Sequence, residues 1–156
     1  MFQDRYKRWN KKIWIAKKIG TKQDDYGYEI PLYSKPKMYK MNVQPISSSA
    51  DIQEFGENAK EMQKAVIKLK KYLGEFKEFD VAYLDGANPL SNGGDFIADV
   101  SDLTSASVAD IDELEVQNLG EGKVTCYTCP NANYILYPPR NQNKVIQIYF
   151  KRLAGK

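Results

Sequence analysis

The chain has few residues of the types that commonly catalyse reactions or bind metals, and their spacing matches no known catalytic or metal-binding motif. The chain of 156 residues contains no histidine, which is both the usual general base near neutral pH and the commonest metal ligand. Cys126 and Cys129 form a lone Cys-x-x-Cys motif, whereas a structural zinc site needs four ligands and a thioredoxin-like pair is expected at the start of a helix. This pair runs into Pro130 inside a β-like region, where a disulfide would need a turn. We therefore predict two reduced thiols in a strand or turn.

Acidic and glycine-rich runs offer a second kind of site, but they lack the required spacing. Asp24-Asp25 and the run Asp110-x-Asp112-Glu113-x-Glu115 have neither the fixed ligand positions nor the central glycine of a calcium loop. Gly93-Gly94-Asp95 is isolated and typical of a turn, and the chain has no phosphate-binding glycine loop. We predict no catalytic residue, metal or cofactor. The alternative is a carboxylate-based enzyme, with an acidic residue of shifted pKa in an apolar pocket.

Charge is strongly segregated along the chain. Residues 1–40 carry 11 Lys or Arg and 4 Asp or Glu, and residues 41–79 carry 6 of each kind. Residues 80–122 carry 10 acidic and no basic residues, and residues 123–156 carry 6 basic and no acidic residues. This pattern predicts a bipolar surface that meets complementary partners or copies of itself. The alternative is a set of solvated faces neutralised within the fold.

The first twelve residues form a basic arm with interleaved aromatic residues. Lys and Arg side chains in such an arm can contact phosphates while Tyr6 or Trp9 stacks on bases. The arm could equally dock on a neighbouring subunit.

Length and hydropathy favour one domain spanning residues 1–156. No apolar run approaches the roughly 18 residues that a membrane span needs, and charged residues stand where a signal peptide would have its apolar core. We expect a soluble protein, made in the cytoplasm, with no membrane partner.

The strongest structural pattern is a β-hairpin near the end of the chain. In residues 145–153 the alternation predicts a strand with Ile146, Ile148 and Phe150 on its core face. The opposite face carries Gln147, Tyr149 and Lys151. Pro138 and Pro139, followed by a polar run over 140–143, predict a turn, so the partner strand should stop near Tyr137.

Further strands and helices follow from local patterns. We predict strands over 13–19, 28–33, 41–46 and 78–86, with a turn over 20–27. Ser48, Asp51 and Gly56 mark one or two helical turns. Residues 62–72 fit either a helix or a strand, and we favour the strand.

The acidic insertion, residues 91–123, is longer than the loops usual in a compact domain. It contains a predicted short helix from Ser107 to before Gly120. We interpret the insertion as functional, the alternative being a surface decoration. The chain is thus predicted to be mainly all-β, a small antiparallel β-barrel or sandwich with one or two short helices and a long acidic insertion.

Four fragments carry a further signal through their order. They are Asp25-Tyr26-Gly27-Tyr28-Glu29 before a proline and an aromatic residue; Asn42-Val43-Gln44-Pro45 before a serine-rich loop and Phe55-Gly56; Phe76-Lys77-Glu78-Phe79-Asp80-Val81-Ala82-Tyr83-Leu84; and Asn133-Tyr134 leading through Pro139-x-Asn141-Gln142 to Ile146-x-Ile148-Tyr149-Phe150-x-x-Leu153. In this order they resemble the head-closure proteins of tailed bacteriophages, also called stopper or head–tail joining proteins. The resemblance spans nearly the whole chain outside 91–125, and it implies a strand over 65–69.

The resemblance also implies a function and a set of partners. It implies a virion structural protein of the phage neck, made in the host cytoplasm, that forms a ring beneath the portal. Such a ring would contain twelve copies if it follows the portal's symmetry and six if it follows the tail's. The implied partners are copies of the chain, portal and adaptor proteins, a tail-terminator or tail-completion protein, and packaged double-stranded DNA. Because the acidic insertion departs from the compact family pattern, an adaptor or a tail-completion protein of the same neck is the alternative.

Two groups of residues follow from this interpretation. We hypothesise that residues 47–60 project into the DNA channel, and that the basic arm and the acidic insertion contact subunits or the tail. The candidate channel residues are Ser47, Ser48, Ser49, Asp51, Glu54, Glu57 and Lys60; the candidate subunit or tail contacts are Arg5, Lys7, Arg8, Trp9, Asp110, Asp112, Glu113 and Glu115. A nucleic-acid-binding β-barrel that uses the 1–12 arm is a rival from another functional class.

Overall fold

The computed structural model describes residues 11–23, 25–89, 96–99 and 123–154. These residues are mainly β, as the sequence predicted. The described strands are β1 (Lys11–Ala16), β2 (Lys18–Gln23), β3 (Glu29–Tyr33), β4 (Lys37–Pro45), β5 (Met62–Lys68), β6 (Val81–Tyr83), β7 (Phe96–Asp99), β8 (Lys123–Cys126), β9 (Tyr134–Leu136), β10 (Arg140–Gln142) and β11 (Val145–Arg152).

Short helices lie on either side of β5. Helix α1 spans Ser49–Phe55 and leads directly into the 3-10 helix η1, Gly56–Glu61. Helix α2 spans Leu69–Tyr72. The ambiguous stretch 62–72 is therefore a strand up to Lys68 and one helical turn after it, which confirms the favoured strand over most of its length. No helix in the described ranges is long and apolar enough to cross a membrane.

Six of the strands close into an antiparallel barrel. Their order is β11, β5, β4, β1, β6 and β9, and β9 pairs again with β11 to complete the circle. The longest pairing joins β11 to β5, from Val145↔Lys68 to Lys151↔Met62. Closure gives the backbone N–H and C=O groups of these strands partners on both sides, so the barrel wall has no open edge. The barrel, one of the two predicted architectures, is confirmed.

Inward-facing side chains fill the barrel. On β11 the residues Ile146, Ile148 and Phe150 are at most 2% exposed, as the alternation predicted. Phe76, which follows α2, closes one end of the core, and its ring centroid lies 5.1 Å from that of Tyr39. The other buried members of the core are Ile13, Ile15, Met41, Val43, Ala65, Ala82, Leu84, Tyr134 and Leu136.

A smaller apolar cluster covers part of the outer wall. Ala16 of β1 and the outward side chains Val81 and Tyr83 of β6 pack against Tyr33 and Ala132. The wall is therefore covered on both faces along β6 and along residues 14–16 of β1, whereas Lys11 and Lys12 of β1 are exposed. The covered positions are all apolar or aromatic and do not alternate with polar residues.

Two strand pairs extend from this outer cluster. Strands β2 and β3 form a hairpin, and β7 and β8 form a ribbon that ends at the pair Asp99↔Lys123. Backbone bonds of 2.8 and 2.9 Å between Tyr33 and Tyr127 join hairpin to ribbon. Asp99 and Lys123, the described residues on either side of 100–122, are thus paired in a ribbon that is joined to the hairpin. The sequence did not predict β7 or β8, and the helix predicted after Ser107 lies outside the described residues.

The predicted strand over 13–19 is wrong in its extent. Strand β1 ends at Ala16, and at Lys17 the chain leaves the barrel wall and pairs with Ser34, whose N–H donates to the Lys17 carbonyl at 2.8 Å. The next N–H, from Lys18, donates to Asp80 Oδ1 at 3.1 Å. Because the buried Asp80 carboxylate also accepts from the Lys77 N–H, it fixes this exit point. Strand β2 then continues to Gln23, so the turn predicted over 20–27 is shorter than expected.

The last hairpin is confirmed, with a tighter turn than predicted. Strand β9 ends at Leu136, close to the predicted stop, but Arg140–Gln142 form strand β10 instead of a turn. Strand β10 pairs back onto β11, which leaves Asn143 and Lys144 as a two-residue connection. Asn143 has φ +52°, a left-handed conformation that asparagine tolerates better than most residues.

The strand predicted over 78–86 is shorter in the structure, where only β6 is extended, because Phe79 has φ +72°.

Candidate interaction surfaces

Residues 47–60, predicted to face the DNA channel, contain α1 and most of η1. The Ser48 hydroxyl accepts a hydrogen bond from the Asp51 N–H at 3.2 Å and caps the helix. Gly56, at φ +58°, ends it by donating its N–H to the Ile52 carbonyl. The helix start and stop predicted from the sequence are therefore confirmed.

The buried side of this segment is fixed to the barrel by Asp51. The Tyr149 hydroxyl donates to Asp51 Oδ1 at 3.1 Å, and Lys64 Nζ lies 3.5 Å from Oδ2. Burial would raise the pKa of Asp51, but hydrogen bonds from Ser48 and Tyr149 and the charge of Lys64 outweigh burial and lower it. Asp51 is thus an ionised anchor at neutral pH. Tyr149 was predicted on the face opposite the core, and it lies there, but α1 buries it to 2% exposure.

Aromatic and cationic contacts extend the anchor along the same wall. The Phe55 ring lies 5.1 Å from that of Tyr149 and 5.8 Å from that of Tyr137. The Arg140 guanidinium lies over Tyr149 at 5.0 Å and forms an ion pair with Glu54. Charge, stacking and hydrogen bonding therefore act on one short helix, which on its own would be too short to persist.

The seven candidate channel residues divide into two groups. Ser48, Asp51 and Glu54 make the internal contacts that hold the segment, and of these three only Asp51 is buried. The remaining four are all exposed: Ser47, Ser49, Glu57 and Lys60. Their place in a DNA channel stays a prediction.

We expect Asp51→Asn to lower the free energy of unfolding by about 1–2 kcal/mol at pH 7, because the ion pair with Lys64 is lost and the Tyr149 contact is weakened. The folded pKa of Asp51 is depressed, so its stabilisation is present above the ordinary value of 3.8 and is lost as pH falls through the lower folded value. Urea unfolding from pH 7 to pH 3 should therefore show wild type and variant converging at acid pH. Exposed Glu57→Gln is the control and should change stability by less than about 0.5 kcal/mol. A constant difference across the pH range would contradict the assignment.

A second polar cluster joins the ends of three barrel strands near Asp85. The Tyr134 hydroxyl donates to Asp85 Oδ2 at 2.8 Å, and Gln63 Nε2 lies 3.1 Å from both carboxylate oxygens. The Arg152 guanidinium donates to the Tyr134 hydroxyl at 3.2 Å and lies 3.6 Å from Asp85. Burial would raise the pKa of Asp85, but hydrogen bonds from Gln63 and Tyr134 and the charges of Arg152 and Lys11 outweigh burial and lower it. The sequence analysis missed this cluster, because its members come from separate strands.

Each carboxylate borders an open groove. One groove, of about 220 Å³, lies between α1 and β4 beside Asp51, and the other, of about 440 Å³, lies beside Asp85. A general acid needs a raised pKa, whereas both of these carboxylates have lowered pKa values. Within the described ranges, no three His, Cys, Asp or Glu side chains are grouped as metal ligands.

The β2–β3 hairpin presents two aromatic side chains at its tip. Tyr26 is 87% exposed and Tyr28 is 72% exposed, on either side of Gly27 at φ +84°. Large exposed aromatic residues are typical of protein contact surfaces, where they contribute much area for little lost side-chain entropy. The hairpin tip is therefore a candidate docking point, and it contains the first fragment of the family resemblance.

The two cysteines lie where the sequence predicted, at a strand end and in a turn. Cys126 is fully buried at the end of β8, Cys129 has φ +52°, and the two sulfur atoms form no disulfide bond. Burial and the neighbouring Cys129 raise the pKa of Tyr33 to about 12. Burial and a hydrogen bond with Cys129 raise that of Tyr83 as well. Both phenols are neutral at physiological pH and pack in the outer apolar cluster.

The predicted subunit and tail contacts lie outside the described residues. They are Arg5, Lys7, Arg8, Trp9, Asp110, Asp112, Glu113 and Glu115. Their roles stay predictions.

Comparison of the chain with protein-family models, with curated proteins and with solved structures found no match in any of the three. The functional argument therefore depends on the residues and their geometry.

Proposed function

We propose that this chain is a structural protein of the neck of a tailed bacteriophage, a ring-forming head-closure protein. It seals packaged DNA below the portal or adaptor and offers a docking surface to the tail. The observation that carries the proposal is the closed six-stranded barrel, whose wall includes parts of three of the four fragments of the family resemblance, while the first fragment lies at the tip of the β2–β3 hairpin. The fragment Asn42-Val43-Gln44-Pro45 ends β4 before α1, Asn133-Tyr134 opens β9, and the Ile146, Ile148 and Phe150 row fills the core from β11.

The geometry supports a ring assembled through side-chain surfaces. A barrel without an open edge cannot extend its sheet into a neighbour, so copies must meet through their outer walls, hairpins or loops. A closed ring needs heterologous contacts, in which one surface of a subunit meets a different surface of the next. The hairpin tip at Tyr26 and Tyr28 and the anchored α1 segment are separate outward features of the described chain, and they provide such distinct surfaces.

The proposed partners are the components that would surround such a ring at the phage neck. Copies of the chain, twelve or six, surround the packaged double-stranded DNA, with portal or adaptor proteins on one side and a tail-terminator or tail-completion protein on the other. The protein would then reside at the neck of the virion after assembly in the host cytoplasm.

Disruption of the gene in its phage, followed by negative-stain electron microscopy, tests this function. We expect free tails beside heads that packaged DNA and then lost it, because an open neck cannot retain the genome. A wild-type copy supplied from a plasmid should restore tailed particles. Heads that keep their DNA but carry no tail would instead indicate the tail-completion role. Normal tailed virions would contradict every neck role and favour the nucleic-acid-binding barrel.

A further inference from the structure

Six lysines lie on one stretch of the outer barrel wall. Strand pairing places Lys12 of β1 directly opposite Lys40 of β4, and both lie at outward positions of the alternation. The register Asn42↔Val66 between β4 and β5 continues toward Lys68, the last residue of β5. We call Lys12, Lys40, Lys68, Lys70, Lys71 and Lys144 the lysine patch.

Backbone contacts bring the remaining members beside Lys68. Lys70 and Lys71 lie on α2, whose first N–H, from Leu69, donates to the Lys144 carbonyl at 3.0 Å. Val145, the residue after Lys144, pairs with Lys68. All six lysines are exposed. The patch therefore joins three strands, a helix and a turn in one surface.

The described surroundings leave the positive charge of the patch without ion-pair partners. None of its six lysines forms an ion pair within the described ranges. Glu75, the acidic residue that follows α2, instead accepts the Tyr39 hydroxyl at 2.9 Å. Like charges opposite each other across strands, such as Lys12 and Lys40, are destabilising. A surface with this composition fits a polyanionic partner.

The chain itself contains a segment of matching chemistry. Residues 80–122 carry 10 acidic and no basic residues. Asp99 and Lys123, the described residues on either side of 100–122, pair with each other in the ribbon. The acidic members of this segment are Asp102, Asp110, Asp112, Glu113, Glu115 and Glu121.

We propose that the lysine patch binds residues 100–122 of a neighbouring copy of this chain. Six basic residues then face six acidic residues, and the contact joins two different surfaces, as a ring requires. DNA is a weaker candidate because lysines that faced a DNA channel would grip the phosphates and slow its passage. The ring in which the contact acts rests on the proposed function, but the contact can be measured without it.

A fluorescein-labelled peptide of residues 100–122, titrated with the full chain and followed by anisotropy, tests the contact. We expect binding at about 50 mM NaCl that weakens as salt screens the charges. The reversal Lys70→Glu with Lys71→Glu should weaken binding by at least about tenfold. The matched control is Lys35→Glu with Lys151→Glu, which changes the net charge equally. Lys35 is exposed between β3 and β4, and Lys151 pairs with Met62, at the end of β5 away from Lys68. The control should change affinity by less than about threefold.

Three results would overturn the inference. They are no peptide binding at low salt, equal losses in both double variants, and displacement of the peptide from the patch by a 30-base-pair DNA duplex at lower concentration than by unlabelled peptide. The last result would assign the patch to nucleic acid. The neck function is decided separately, since peptide binding together with normal virions after gene disruption would keep the contact and remove the neck role. Leaking heads without peptide binding would do the reverse.

Discussion

Phe150→Ala is expected to lower the free energy of unfolding by about 4 kcal/mol, the largest effect of any single side-chain truncation proposed for this barrel. Phe150 is 0% exposed, and its strand pairs with both β5 and β9 at that position, opposite Gln63 and Leu136. The truncation would leave a cavity where the barrel closes, with neighbours fixed from both sides and unable to collapse into it. Urea unfolding followed by far-UV circular dichroism measures the loss.

Two variants on the same strand calibrate that result. Phe150→Leu keeps most of the apolar volume and should cost about 1 kcal/mol. Lys151→Ala, whose side chain points out of the core, should change stability by less than about 0.5 kcal/mol. Equal costs for Phe150→Ala and Lys151→Ala would show that Phe150 does not fill the core.

The elements that the sequence predicted well are those whose structure is determined by residues within the same strand or helical turn. The alternation in β11 identifies Ile146, Ile148 and Phe150 as core because the side-chain period of a strand is fixed by its own backbone. Ser48 and Gly56 mark the ends of α1 because each acts on N–H or C=O groups within one helical turn. Such signals need no knowledge of the rest of the chain.

The errors arise where a distant residue decides the outcome. Tyr149 is buried because Asp51 and Phe55, about a hundred positions away along the chain, cover its outward face. The strand predicted over 13–19 is interrupted because Asp80 accepts the Lys18 N–H across a separation of 62 residues. Neither partner can be recognised from the alternation around Lys18 or Tyr149 alone.

The candidate surfaces also combine features that local sequence predicts with features that depend on distant residues. The α1 segment could be found from its capping residues, but which of its side chains face outward depends on the barrel wall beneath it. The Asp85 cluster joins Asp85, in the turn after β6, to Gln63, Tyr134 and Arg152 from three strands. The lysine patch becomes visible only when pairing brings Lys12 beside Lys40. The shape and charge of these candidate surfaces are thus properties of the closed barrel, and no single fragment of the sequence contains them.

Replacing residues 100–122 by Asn-Gly is expected to leave the barrel folded and to abolish tail attachment. Asp99 and Lys123 are already paired at the end of the ribbon, and Asn-Gly is the preferred two-residue hairpin connection. The free energy of unfolding should stay within about 1 kcal/mol of wild type, because closing a shorter loop costs slightly less entropy. Urea unfolding measures the fold, and plasmid complementation of the disrupted gene, imaged by negative stain, measures attachment.

A second variant, in which residues 100–122 keep their length, separates the effect of the segment's charge from the effect of its size. In it, the six acidic residues of 100–122 become their amides, Asn for Asp and Gln for Glu, so the segment keeps its size but loses the charge that the lysine patch is proposed to bind. If both variants fold and both fail to restore tails, the negative charge of the segment is what attachment requires. If only the Asn-Gly variant fails, the segment acts through its length or shape, and binding to the lysine patch is not the reason. If tailed virions form with both variants, the insertion is a surface decoration and the ring must be held by the hairpin and the α1 segment instead.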